Sequence, residues 1–87
     1  MKSIRLFETA PNGMKTDIIT LTQVPNADNS GTVHIVEYQG MEFEDKMKIG
    51  QVGLILGEVS FYDTKYRGVS YKALKLLARW IEDNYEE

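Results

Sequence analysis

The residues of this 87-residue chain best suited to binding chemistry are basic and aromatic, and they cluster between positions 65 and 79. They surround the start of a predicted helix, where free backbone N–H groups and the helix dipole favour negative charge. Cations there destabilise a helix by roughly 0.3–1 kcal/mol each, whereas an anion gains from the cations, donors and dipole together. The residues predicted to bind an anion or a partner are Lys65, Tyr66, Arg67, Gly68, Tyr71, Lys72, Lys75 and Arg79.

The alternative for this basic segment, residues 65–79, is a solvated helix face without a ligand. Long basic side chains lie along protein surfaces and pair with acids, and Arg79 is spaced to do so with Asp83 at i, i+4. As a binding segment, it would add Tyr66 and Tyr71 as flat rings for stacking on a base. The sequence is compatible with either interpretation.

Charge is distributed unevenly along the chain. Residues 63–79 hold five basic residues and one acidic residue, a net charge of +4. Because the whole chain has a net charge of −3, the remainder carries −7. Such asymmetry bears on binding partners rather than on the fold. The overall negative charge argues against a general nucleic-acid coat protein.

Acidic residues form a second candidate contact surface near the middle of the chain: Glu42, Glu44 and Asp45. Glu42 and Glu44 are predicted to alternate with lysines on the charged face of one strand. Alternating charges of this kind are typical of a solvated strand that protects a sheet edge. Neither the EF-hand pattern nor the paired-carboxylate pattern matches. We therefore predict a partner contact or a solvated face here, and no metal site.

The sequence shows no recognisable catalytic constellation. The single histidine, His34, lies in an apolar strand-like run with no histidine or cysteine nearby to share a metal. No serine or carboxylate pairs with it in a known motif, so we interpret it as a strand histidine that is half-buried or faces a sheet edge. We accordingly predict a protein that is not an enzyme and that uses neither a metal nor a cofactor.

Composition places the chain among small globular domains. It is 43% hydrophobic and 26% charged, with two prolines, which predicts one domain over residues 1–87. It has no cysteine, which excludes disulfides and thiolate zinc sites within it. No apolar run approaches the roughly 20 residues that span a membrane, and the first residues lack the apolar core of a signal peptide. We expect a cytoplasmic protein without membrane contact.

The clearest element is an amphipathic helix that begins after Ser70, a good N-cap residue. At 100° per residue, its apolar positions gather on one broad face and its charged positions fill the opposite arc. The apolar face comprises Ala73, Leu74, Leu77, Ala78, Trp80, Ile81 and Tyr85. The charged arc comprises Lys72, Lys75, Arg79, Glu82, Asp83 and Glu86.

Strands are predicted ahead of this helix by period-two patterns and by β-branched residues. Asn12-Gly13 is a strong turn signal between the first two strands, and Gln39-Gly40 is predicted to form a second tight turn. Asp45 interrupts the alternation of residues 41–49 and marks a bulge, a bend or a break into two short strands. The predicted strands cover residues 3–9, 16–24, 32–38, 41–49 and 52–62, with a loop over 25–31.

These elements predict a two-layer α+β fold, with an antiparallel sheet of four to five strands and one C-terminal amphipathic helix packed on one face. Several strands offer apolar residues in both phases, for example Ile35 in one phase and Val36 in the other. One helix covers only one face. The second face is therefore predicted to be partly exposed, curled on itself, or buried in a homodimer or against a protein partner.

Part of the basic segment resembles a known cofactor loop. The residues Lys65-x-x-Gly68-x-Ser70, with "YRG" before a helix that contains "ALKLL", resemble the acetyl-coenzyme-A-binding turn of the N-acetyltransferase superfamily. There a strand leads into a Gln/Arg-x-x-Gly-x-Gly/Ala loop whose backbone binds the pyrophosphate. Lys65 and Ser70 differ from that pattern at both outer positions. The resemblance implies an abbreviated acyl-coenzyme-A-binding domain.

The same segment is similar to a second family. "RGVSY", residues 67–71, resembles the Lys-Gly-Ile-Ser-Leu strand end of the positive-cofactor-four family of single-stranded-DNA-binding coactivators, in which strands also precede a helix. The dense run of basic residues on the earlier strands of that family is absent here. The resemblance implies single-stranded nucleic-acid binding through the basic segment.

The leading functional prediction is a small, non-enzymatic binding module that acts by protein–protein contact. Its size and charge suit a regulator or inhibitor of a larger partner, for instance a nucleoprotein. The first alternative is single-stranded nucleic-acid binding through the basic segment, and the second is an abbreviated N-acetyltransferase-like, acyl-coenzyme-A-binding domain.

Overall fold

The computed structural model describes residues 3–24, 33–55, 58–62, 64–65 and 68–85. Its elements are β1 (Ser3–Thr9), β2 (Lys15–Val24), β3 (Val33–Met41), β4 (Met47–Ile55), β5 (Glu58–Tyr62) and α1 (Tyr71–Tyr85). The strands form one antiparallel sheet in the order β1-β2-β3-β4-β5, so each strand pairs with its neighbours in sequence. The predicted α+β fold with a C-terminal helix is confirmed. No helix in the described ranges is long and apolar enough to cross a membrane.

The first hairpin forms where the Asn12-Gly13 signal predicts it. The backbone N–H of Ala10 donates to the carbonyl of Met14 and that of Gly13 donates to the carbonyl of Ala10, each at 2.8 Å. Gly13 has a φ of 86°, a left-handed conformation that glycine adopts without a steric penalty. The Asn12 side chain accepts a hydrogen bond from the Met14 N–H at 3.0 Å. The predicted loop over 25–31 lies outside the described residues.

The second hairpin differs from the prediction. Gln39 and Gly40 lie within β3, and the turn occupies residues 42–46 instead. The buried Gln39 side chain holds this turn, because its Nε2 donates to the carbonyls of Glu44 at 2.7 Å and Glu42 at 3.4 Å. Residues 41–49 are therefore not one strand. Of the three roles predicted for Asp45, the break is the one found.

Residues 52–62, predicted as one inner strand, contain a third hairpin. β4 ends at Ile55 and β5 begins at Glu58, and the two strands pair antiparallel with Val52 opposite Phe61. Between β3 and β4 the register shifts, so that Val36 opposes Gly50 whereas Glu37 opposes Lys48. Gly50 sits at this irregularity and against β5. A Cβ atom there would lie 2.9 Å from Cε2 of Phe61 and 3.1 Å from the carbonyl oxygen of Tyr62.

The helix packs on the sheet over β1 and β2 and closes the core. Residues directly opposite one another in antiparallel strands share a face, which puts Leu6, Ile19 and Tyr38 in one row beneath the helix. The buried core comprises Ile19, Leu21, Val36, Tyr38, Ile49, Val52, Ala73 and Leu77. Because α1 lies toward β1, apolar residues nearer β5 such as Phe61 and Ile81 are only partly buried.

The face of the sheet away from the helix is mixed rather than apolar. One row runs across four strands through directly opposed residues: Arg5, Thr20, Glu37 and Lys48. The next row contains Ser3, Thr22, Ile35, Gln51 and Tyr62. Apolar residues such as Val33 and Ile35 are half-buried among these polar neighbours. A homodimer through this face stays a prediction, and the charges in its first row do not favour it.

Candidate binding surface

A carboxylate from the sheet lies at the N-terminus of the helix and accepts a hydrogen bond from its N-cap residue. Ser70 is the N-cap as predicted, since its Oγ accepts the Ala73 N–H at 3.1 Å. The Ser70 hydroxyl in turn donates to Oδ1 of Asp17 at 2.5 Å. Asp17 has a φ of 54°, an uncommon conformation that aspartate tolerates better than most residues. The helix N-terminus, predicted to favour an external anion, thus already faces a negative charge of the chain itself.

The cations of the helix lie along its exposed side. Lys72, Lys75 and Arg79 are exposed and follow one stripe, because residues three and four apart are neighbours on a helix. We call these three residues the cationic helix face. They line a groove of about 490 Å³ together with Glu8, Leu76, Ala78 and Glu82. Leu76 and Ala78 give the groove an apolar part between the charges.

None of the three cations forms an ion pair with a described residue. The Arg79–Asp83 pair, which the solvated-face interpretation expects, is not formed. Lys75 instead places its Nζ 5.7 Å from the ring centroid of Tyr71, whose side chain is 75% exposed. The structure therefore brings four of the predicted site residues together on one exposed helix surface, three of them cations and the fourth Tyr71.

The rest of the basic segment is only partly described. Lys65 is exposed, and its N–H donates to the carbonyl of Ile49 at 2.8 Å, which attaches it to β4. Gly68 is exposed in a turn with a φ of 80°. Tyr66 and Arg67 lie outside the described residues.

The acidic residues lie in the β3–β4 turn and not on a strand face. Glu42, Glu44 and Asp45 are all exposed there. The Glu42 carboxylate lies 4.0 Å from Nη2 of Arg5 and 3.9 Å from Nζ of Lys15. Exposed pairs like these contribute little to stability, with a median of about 0–1 kcal/mol. Within the described ranges, no three acidic or histidine side chains form a group that could hold a metal ion.

His34 is buried beneath the helix. It lies on the helix side of β3 with 8% of its surface exposed, and its ring meets Trp80 edge-on at a centroid distance of 4.9 Å. Burial lowers the pKa of His34 below its ordinary value of 6.5, because the charged imidazolium loses its hydration there. His34 is thus a strand histidine as predicted, but it is buried in the central strand of the sheet and is neither half-buried nor at an edge.

Acid is expected to destabilise the fold through His34. Below about pH 6.5 His34 becomes protonated in the unfolded chain, whereas it stays neutral to lower pH in the folded protein. The unfolded state therefore binds more protons, and the stability of the fold decreases as the pH is lowered. Urea unfolding at several pH values between 7.5 and 5, followed by the fluorescence of the single tryptophan, measures this effect. His34→Phe should show a smaller loss of stability over that range. Parallel pH profiles for the two proteins would contradict the assignment.

Sequence reasoning missed several residues of this surface. Asp17 lies 53 residues from Ser70 in the chain, so no local pattern indicates their contact. Glu8 reaches the groove from β1 for the same reason. Leu76 flanks the apolar helix face. At this position the sequence pattern does not distinguish a leucine buried in the core from one that lines the groove.

The chain matches no protein-family model, and neither curated proteins nor solved structures show significant similarity to it. The chemistry of the surface is therefore the basis for assigning a function.

Proposed function

We propose that the protein is a small, non-enzymatic module that acts by protein–protein contact, and that the cationic helix face is its docking surface. The observation that supports this is the absence of ion pairs at Lys72, Lys75 and Arg79 among the described residues. The proposed partner offers an acidic protein surface. Covering such a surface on a larger assembly, for instance a nucleoprotein, would regulate or inhibit it.

The arrangement of the cations is unfavourable for the helix alone. Lys72 and Lys75 are like charges at i, i+3, and Lys75 and Arg79 are like charges at i, i+4. Each such pair destabilises an isolated helix by about 0.2–0.5 kcal/mol. A glutamate at position 75 would relieve both repulsions. Because these cations destabilise the helix, its stability does not explain their presence. Binding to an acidic partner would explain it.

The groove has the make-up of a protein interface. Leu76 and Ala78 supply apolar surface, and cations surround them. An apolar centre with a charged rim is typical of protein–protein contacts, where rim charges guide association. The acids Glu8 and Glu82 line the same groove. A protein surface can match such mixed charge by presenting both signs, whereas a phosphate backbone is uniformly negative.

Single-stranded nucleic-acid binding is the second candidate, and the ring of Tyr71 favours it. This ring is exposed, with Lys75 beside it, as in surfaces that stack a base and neutralise a phosphate. The negative charges of Asp17 and Glu8 argue against this candidate, because they would repel a phosphate backbone. Acyl-coenzyme-A binding has weaker support, because the Ser70 hydroxyl of the resembling loop is bonded to Asp17, which places a carboxylate near the pyrophosphate position.

Charge reversal tests the proposal. Immobilised wild-type protein is expected to retain acidic proteins from a nuclease-treated lysate of the source cells, and R79E is expected to lose them. Each added charge conflict should weaken binding, so K75E/R79E is expected to lose at least about tenfold in affinity, or 1.4 kcal/mol. K46E is the control, since Lys46 is an exposed cation in the β3–β4 turn. Equal retention by wild type, K46E and K75E/R79E would contradict the proposal.

A labelled oligonucleotide separates the two candidates. If nucleic acid is the ligand, binding at low salt should weaken steeply as salt rises and should decrease in Y71A and K75E/R79E. The absence of binding at low salt removes this candidate. Coenzyme A at millimolar concentration is expected to leave the melting temperature unchanged, since a ligand that binds only the folded state would raise it.

A further inference from the structure

The sheet ends in two edge strands that differ in their protection against further strand pairing. β1 carries Arg5 and Glu8, and its register with β2 shifts between Leu6 and Glu8. Charged side chains and bulges are devices by which proteins prevent edge-to-edge association. β5 pairs with β4 in continuous register and carries one charged residue, Glu58, at its first position. As far as the structure describes the chain, β5 is therefore the less protected edge.

The side of β5 that faces the helix layer is apolar and partly accessible. Val59 is 39% exposed, and the half-buried Phe61 shares its face because side chains alternate along a strand. An apolar trough of about 170 Å³ lies beside them, lined by Phe61, Leu74, Leu77, Ala78 and Ile81. The trough exists because α1 packs toward β1 and leaves the β5 side of the layer partly open. A strand added at β5 would send alternate side chains toward it.

The β5 strand is complementary to a second copy of itself. An antiparallel pair centred on Ser60 places Val59 opposite Phe61 of the other copy, and Glu58 opposite Tyr62. No like charges meet in this register. The phenol of Tyr62 can donate a hydrogen bond to the Glu58 carboxylate. Both apolar pairs fall on the helix side, where the two troughs meet.

We propose that the protein forms a two-fold symmetric homodimer by antiparallel pairing of β5 with β5 of a second copy. The two five-stranded sheets become continuous, with both helices on the same side. A self-complementary contact of this kind closes after two copies and does not polymerise. The cationic helix face lies on the other side of α1, next to Glu8 of β1, and remains exposed in the dimer. The inference is independent of the proposed function.

The oligomeric state of matched edge variants tests the dimer. Sedimentation velocity of the wild type over about 1 µM to 1 mM, the range in which weak complexes dissociate, should show a shift to twice the mass of one chain. V59K is expected to remain monomeric, because the lysines would enter the apolar contact. I4K is the control, since Ile4 is 37% exposed in the opposite edge strand, and it should dimerise like the wild type. Circular dichroism checks that both variants are folded.

A cysteine cross-link tests the register. The chain has no cysteine, so a single introduced thiol reports only on its own symmetry mate. In S60C the two thiols face each other across the axis at a separation that suits a disulfide, and mild oxidation should give a rapid covalent dimer. S3C, on the exposed β1 edge, should cross-link at least about tenfold more slowly.

Either of two results would overturn the dimer. One is a wild-type protein that sediments as a monomer at every concentration. β5 would then be available for pairing only with a strand of a different protein. The other is a dimer that persists in V59K or breaks in I4K, which would assign the contact to another surface.

Discussion

Replacing Leu77 with alanine is expected to lower the free energy of unfolding by about 2–5 kcal/mol. Leu77 is 3% exposed and joins the helix to the sheet core. The truncation removes buried methyl groups and leaves a cavity that the surrounding strands cannot fill. A domain of this length has a total stability of roughly 4–13 kcal/mol, so this loss is a large part of the total. Urea unfolding followed by Trp80 fluorescence gives the value.

Leu76→Ala is the matched control, because it makes the same chemical change one position earlier. Leu76 lies at the groove and is only half-buried, so its truncation should cost about 1 kcal/mol or less. The same variant removes apolar surface from the groove and should weaken partner binding. If L76A were as destabilising as L77A, the helix would face the sheet differently from the structure.

Replacing Gly50 with alanine is expected to cost about 1–3 kcal/mol. The new methyl group would meet the Phe61 ring at 2.9 Å and the Tyr62 carbonyl oxygen at 3.1 Å. The ring has some freedom to move, but the carbonyl oxygen is fixed by the β4–β5 pairing. Since 1 kcal/mol shifts the melting temperature of a domain this size by about 4–8 °C, thermal unfolding measures the effect readily.

Gly40→Ala serves as the comparison for Gly50→Ala. Its Cβ would meet Oε1 of Glu44 at 3.2 Å, at the end of an exposed side chain that can rotate away. We expect a change within about 0.5 kcal/mol. Equal melting temperatures for the two variants would mean that β5 does not pack against Gly50.

The helix was predictable because its signals are local. The period of its apolar residues fixes the buried face, and Ser70 marks its start within one residue. The β1–β2 hairpin was predictable for the same reason, since Asn12 and Gly13 satisfy the turn by themselves. The cationic helix face followed from helical spacing alone.

The other two hairpins were mispredicted for physical reasons. The alternation of Met41, Phe43, Met47 and Ile49 continues through the turn, so it resembles one strand. What fixes the turn is the Gln39 side chain, which bonds backbone carbonyls three and five residues away. Turn formers such as Asn-Gly are not needed once such a side chain is in place. The run from Val52 to Tyr62 is mostly apolar and lacks a strong turn signal, so its division into two strands is seen only in the pairing of β4 with β5.

The cations of the candidate surface were predictable from the sequence, whereas the position of Asp17 was not. Lys72, Lys75 and Arg79 share one helix, whereas Asp17 reaches Ser70 from the second strand of the sheet. Helical spacing therefore predicted that these three cations share one exposed stripe, whereas nothing local indicated that a carboxylate lies at the helix N-terminus. Anion or partner binding by the stripe stays a prediction.

The meander order of the sheet also bears on how the protein folds. Every strand pairs with its neighbour in sequence, so the sheet can assemble from short-range hairpins, and such local contacts favour rapid folding. Among the described elements, α1 makes the contacts that are most distant in sequence when it packs on β1 and β2. We expect this closure to come late, after the rate-limiting barrier. Leu77→Ala would then speed unfolding far more than it slows folding.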